Sequence, residues 1–317
     1  MIPIQYQCEF TRPEISAAMA TTETISALYE GLDVWPDEAI LAAFSAGQER
    51  AISAVRAAHG AIAAAARAIA RRSGEHGRLI YIGAGSSGII AALDGVELGG
   101  TFGWPDDRVA FVLANGTTLE PGLGGGLEDD IARARGEMAR LAPKATDSII
   151  AVAASGATPF TLAAVAAART AGALTVGIAN NPSAPLLAGV DFPILLDTGA
   201  EVIVGSTRMN AGTAQKAALN MLSSLTMIHL GAIYDGMMVN LRVENAKLRR
   251  RAVGTLMHIA GCGEPEAQRA LAGCADRIKP AAMVARGGVA PAEAERLLAA
   301  AQGNLRTALA MITEEVR

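Results

Sequence analysis

Between residues 78 and 197 the chain alternates short, mainly apolar runs with longer amphipathic ones. The short runs are RLIYIG (78–83), RVAFVLA (108–114), SIIAVAA (148–154), LTVGIA (174–179) and DFPILLD (191–197). Apolar residues on both faces mark strands of a parallel sheet that helices cover on each side. TLAAVAAARTAG (161–172) and GTAQKAALNMLSSLTMIHLG (212–231) read as helices. Strand and helix in alternation predict an α/β fold, a doubly wound and mostly parallel sheet, over residues 78–250.

The flanks read differently. Upstream, Ile40, Phe44, Ala51, Val55, Ile62 and Ile69 recur in steps of three and four residues, the period of an amphipathic helix. Residues 1–77 are therefore expected to form a helical N-terminal region, starting near Pro36 and Asp37 and broken near Gly47 or Gly60. Residues 251–317 contain no strand signal and predict a small helical bundle. There EAQRAL (266–271) returns as EAERLL (293–298), and Lys279 is matched by Arg306 at the same offset. In so alanine-rich a region this is either coincidence or an internal repeat.

Composition narrows the class. Apolar residues make up 51% of 317 positions and aromatics 4%, ordinary for a folded α/β chain. A net charge of −4 argues against a nucleic acid or an anionic membrane as partner, and no basic helix-turn-helix module precedes the sheet. Cys8, Cys262 and Cys274 are too scattered for a disulfide framework, and His59, His76, His229 and His258 make no metal-ligand spacing with them. The stretch MIPIQYQCEFTRPE has no signal-peptide pattern, and no window of about 18 residues suits a membrane helix, so a cytoplasmic protein is expected.

The candidate chemistry sits where strands end. Gly83, Gly85 and Gly88 spell G-x-G-x-x-G after the first strand. A dinucleotide site would need an acid closing the second strand, and that strand closes on Asn115 and Gly116. No P-loop pattern occurs. The third strand repeats the construction with Ser155, Gly156 and Thr158 at its turn, so two hydroxyl-rich turns, this one and that with Ser86 and Ser87, open at the same strand ends. Serine and threonine there either cap a helix or join backbone N–H groups in holding an anion, and the pairing of turns favours phosphate.

Paired turns of this kind resemble the sugar isomerase (SIS) fold, which binds phosphosugars. GAEVIVGSTRMNAGTAQKAALNML (199–222) resembles the signature shared by the N-acetylmuramic acid 6-phosphate etherases and the glucokinase regulatory protein. TFG (101–103), LEDD (127–130), AASGATPF (153–160), NPSAPL (181–186) and VENAKL (243–248) fall in the matching order. The resemblance implies a lyase of cell-wall sugar recycling that needs no cofactor or metal and works as a homodimer on a small phosphosugar. It implies Glu97 as the acid and base at the departing lactate, and Glu128 as the base at C2 of the sugar. Ser206 and Thr207 would donate to phosphate or sugar, or cap the next helix, and Arg208 would pair with Glu201 or cross a subunit interface. Without the resemblance, Glu128, Asp129 and Asp130 read as acids of a helix's first turn.

The chain also departs from that pattern. Ile89 and Ala157 stand where the etherases carry arginine, and Asn210 where they carry lysine. ELGGTFG replaces ECPPTFG, and TTETISALYEG (21–31) only echoes the family's N-terminal motif. Two readings follow: an etherase releasing D-lactate, or a phosphosugar-binding regulator or related enzyme of the same fold.

Overall fold

A computed structural model of the chain describes residues 21–74, 76–117 and 125–315. Cys8 and the rest of the N-terminal stretch read above lie outside them. Five parallel strands form the central sheet: β1 (Leu79–Gly83), β2 (Val109–Leu113), β3 (Ser148–Val152), β4 (Leu174–Ala179) and β5 (Phe192–Leu195). Their order is β2-β1-β3-β4-β5, so the winding reverses between β1 and β3. All residues of β1, β3 and β4 are buried, which is why these runs carry no polar alternation.

Side chains alternate across the sheet. Leu79, Tyr81, Ile150, Val152, Val176 and Ile178 face one helical layer: α1 (Asp37–Ala57), α2 (His59–Ser73), α3 (Gly85–Phe102) and α7 (Asn210–His229). Ile80, Ile82, Ile149 and Ala151 face the other, built from α4 (Ile131–Leu141), α5 (Pro159–Thr170) and α6 (Pro185–Ala188). Of the two places expected for a break, the one near Gly60 holds: α1 and α2 part at Ala58, two residues before it. Gly47 is buried within α1, where a Cβ would run into the Asn210 side chain of α7. Its glycine serves helix approach, not helix termination.

A second core begins with the hairpin β6 (Ile233–Tyr234) and β7 (Met237–Met238) and continues through α8 (Ala246–Ala260), α9 (Glu264–Gly273), α10 (Ile278–Gly287), α11 (Pro291–Ala300) and α12 (Leu305–Glu315). Here the structure resolves the question of the repeat. Helices α9 and α11 begin 27 residues apart, as do α10 and α12. The left-handed residues match at the same offset: Gly261 with Gly288 (φ 66° each), Ala275 with Gln302 (51° and 53°), and Asp276 with Gly303 (59° and 74°). Chance similarity in composition does not reproduce three unusual backbone positions. The paired basic residues have diverged in use: buried Lys279 donates to the Gly303 carbonyl at 2.7 Å, whereas Arg306 pairs with Asp235 and lies over the Tyr234 ring. Burial lowers the pKa of Lys279 to about 8.

Candidate active site

The strand order reverses between β1 and β3, and the carboxyl ends of strands at such a reversal are the place where open α/β sheets take ligands. Both turns singled out in the sequence lie there. After β1 the chain turns through Ala84 into α3, with Gly85 at φ 53°. A Cβ on Gly85 would stand 2.6 Å from Glu128 Oε1, so a side chain there would push the carboxylate away. The Gly85 N–H also faces Asn115 Oδ1 at 3.4 Å. A Cβ on Gly83 would meet the Gly88 Cα at 2.7 Å. The glycine pattern thus closes strand against helix and seats an acid, which is a use unrelated to a dinucleotide.

Glu128 comes from the 3-10 turn Gly125–Asp129, ahead of α4. The helix's first turn is not where it sits: Asp130 alone is the N-cap, accepting from the Arg133 N–H at 2.8 Å. Burial, with the charge of neighbouring Asp129 adding to it, raises the Glu128 pKa above the ordinary carboxylate value. A half-buried carboxyl so shifted is a stronger base than a solvated one.

At the second turn, Gly156 has φ 68° and Ser155 Oγ accepts from the Ala157 N–H at 3.2 Å. Thr158 is the N-cap residue of α5, but its side chain makes no capping bond. Simple capping therefore does not account for Thr158, and its half-buried hydroxyl is available beside the N-terminus of α5. Ser86 is half-buried on the first turn of α3, and Ser87 is buried at 8% exposure.

The turn before α7 carries Ser206 and Thr207, both half-buried. Neither caps α7. That work falls to Glu201, fully buried, whose two oxygens accept from the N–H groups of Asn210 and Ala211 at 2.9 Å each. Burial outweighs these bonds and leaves the Glu201 pKa raised. The expected pairing of Glu201 with Arg208 is thus replaced by a helix N-terminus, a natural seat for a carboxylate. Of the three positions departing from the etherase pattern, Asn210 is fully buried beside Glu201, Ile89 lies on the outer face of α3, and Ala157 is exposed on the turn after β3.

Glu97 is not brought to these turns within one chain. It lies twelve residues beyond Gly85 on α3, roughly 18 Å along the helix. Its exposed carboxylate meets Lys216 of α7 at 3.5 Å. Such a half-solvated pair is worth less than about 1 kcal/mol, so Glu97 can change partners cheaply. One turn earlier, Asp94 is 2% exposed and bonds to Tyr81 Oη (2.8 Å), Ser223 Oγ (3.0 Å) and Asn220 Nδ2 (3.1 Å). Burial raises the Asp94 pKa in spite of these donors. The network pins α3 to β1 and α7 directly beneath Glu97.

Two residues at this edge belong to TTETISALYEG (21–31), whose echo of the family's N-terminal motif gave them no role in the sequence reading. Thr22 is buried against Asn181, and Glu23 lies against Gly205. Among the described residues no group of three His, Cys, Asp or Glu is arranged to hold a metal, and no helix is long and apolar enough to cross a membrane.

The strand order and the two hydroxyl-bearing turns at its reversal define a doubly wound α/β protein of the kind that takes a ligand at the carboxyl ends of its strands. No protein-family model matches the chain. It is 44% identical to an N-acetylmuramic acid 6-phosphate etherase of Deinococcus radiodurans over 288 residues, covering 91% of this chain and 94% of that protein. It is 39% identical to the enzyme of that name from Streptomyces avermitilis, covering 92% and 93%. Among solved structures, a phosphoheptose isomerase from Francisella tularensis matches with a TM-score of 0.44 at 20% identity, over 61% of this chain and 96% of that one. The chain belongs to the N-acetylmuramic acid 6-phosphate etherase family.

Proposed function

We infer that the protein is a carbon–oxygen lyase that converts N-acetylmuramic acid 6-phosphate and water into N-acetylglucosamine 6-phosphate and D-lactate. The observation that carries the site is Glu128 set against Gly85 of the first hydroxyl turn and shifted toward greater basicity. The Ser155–Thr158 turn takes the phosphate. The first turn already faces a carboxylate, which would repel a second anion, so Ser86 binds the sugar side.

In the open-chain sugar the C1 aldehyde acidifies the C2 proton. Glu128 removes it, and the electrons left at C2 form the C2–C3 double bond as the C3–O bond breaks. Glu97 protonates the departing lactate oxygen. It then takes a proton from water as that water adds at C3, and C2 is reprotonated. Positioned groups of this kind contribute typically about 10²- to 10⁴-fold each.

A second copy of the chain supplies Glu97. What supports this is the outer face of α3, where Ile89, Leu93 and Val96 stand 37%, 43% and 63% exposed on the same helix as Glu97. An apolar stripe of this kind suits a twofold contact. The assay is D-lactate release from muramic acid 6-phosphate in D₂O, with deuterium at C2 read by mass. Glu97→Gln should abolish lactate release and keep C2 exchange, while Glu128→Gln should suppress both. Wild-type protein that binds the sugar phosphate without lactate release or exchange would overturn the assignment.

A further inference from the structure

The 3-10 turn Thr21–Glu23 precedes the other described helices, yet it docks at the carboxyl edge of the sheet. Thr22 is 1% exposed. Its N–H donates to Asn181 Oδ1 at 3.4 Å, and Asn181 Nδ2 reaches Thr22 Oγ1 at 3.4 Å and the Ala154 carbonyl at 2.7 Å. The Gly205 N–H donates to the Thr22 carbonyl at 3.3 Å. One clamp therefore ties this segment to the residue before Ser155 and to the residue before Ser206.

The clamp fixes the next residue. Glu23 is half-buried, and its Oε2 lies 2.8 Å from where a Cβ on Gly205 would stand, a position whose φ of 72° already favours glycine. Its charge adds to burial in raising the pKa of Glu201 nearby. Glu201 is saturated by two backbone N–H groups, whereas no hydrogen bond or ion pair holds the Glu23 carboxylate among the described residues. A half-buried carboxylate between two ligand turns wants donors. Phosphate, an anion, would be repelled. A sugar's hydroxyl and amide N–H groups fit, and bonds to an ionised acceptor are the strong ones.

We propose that Glu23 is a specificity-determining residue, a carboxylate that accepts hydrogen bonds from the sugar while the Ser155–Thr158 turn carries the phosphate. This rests on the phosphosugar reading of the pocket. The test is calorimetric binding of N-acetylglucosamine 6-phosphate and of inorganic phosphate to the full chain, which needs no turnover. Glu23→Ala should weaken the sugar phosphate about ten- to a hundredfold, with inorganic phosphate unchanged or tighter, and Glu23→Gln should recover part of the loss. Thr22→Val, which loosens the clamp and leaves the carboxylate, should move the same ratio in the same direction to a smaller degree. Equal weakening of both ligands, or unchanged sugar phosphate affinity in Glu23→Ala, overturns the role of Glu23. Wild-type protein that binds neither ligand overturns the pocket itself, and the two failures are thereby told apart.

Discussion

Replacing Gly85 by alanine adds one methyl group at the point where the account concentrates its chemistry. The new Cβ would lie 2.6 Å from Glu128 Oε1, and ordinary contact begins near 3.4 Å, so the carboxylate must retreat by about 0.8 Å. Misplacement of a reacting group on the order of 1 Å can cost about a hundredfold in rate. The same substitution forces alanine into φ 53°, at about 1–2 kcal/mol of backbone strain. Gly288 separates the two effects. It has φ 66° at the end of α10 and nothing within 4 Å of its would-be Cβ. Gly288→Ala should therefore lose a similar few degrees of thermal midpoint and keep wild-type exchange at C2. Gly85→Ala should lose the same stability and, in addition, roughly a hundredfold in C2 exchange. Equal exchange rates in the two variants would refute the seating of Glu128 as the source of its activity.

Other consequences are open to simpler assays. Asp129→Asn removes a like charge that helps raise the Glu128 pKa, so that pKa falls and the acidic limb of kcat/KM moves to lower pH; an unmoved limb would mean another group titrates there. Thr158→Val should weaken inorganic phosphate about three- to tenfold without lowering the thermal midpoint, since the hydroxyl makes no capping bond; a stability loss with unchanged binding would restore the capping role. Glu201→Ala leaves two N–H groups of α7 unpaired in a buried site and should cost about 2 kcal/mol, or ~3 °C in midpoint; a neutral result would show that water replaces it.

The sequence disclosed most of the sheet and only part of the site. Strands such as Leu79–Gly83 and Ser148–Val152 were legible because burial on both faces leaves an unbroken apolar run. The turn carrying Ser155 and Thr158 was legible as a strand-to-helix turn because a hydroxyl-rich stretch follows an unbroken apolar run. Gly47 misled as a helix breaker, since local propensity does not show that Asn210 packs against it from 163 residues away. Glu201 was read with its sequence neighbour Arg208, whereas the stronger attraction was the unsatisfied start of α7. Glu23 was hidden for the same reason at longer range, because its place depends on Asn181 and Gly205. Local signals report what a residue prefers, whereas Gly47 and Glu23 are decided by partners far along the chain and Glu201 by a helix start nine residues on.

Glu97 is where one chain's geometry stops short of its chemistry. Mixing Glu97→Gln with Glu128→Gln protein, under conditions that exchange subunits, would test the site most directly. If Glu128 of one protomer works with Glu97 of its partner, each mixed dimer holds one intact site, and two inactive proteins together regain about a quarter of wild-type lactate release. If the mixture exchanges subunits and stays inactive, the two acids do not meet across the twofold contact, and the account is wrong.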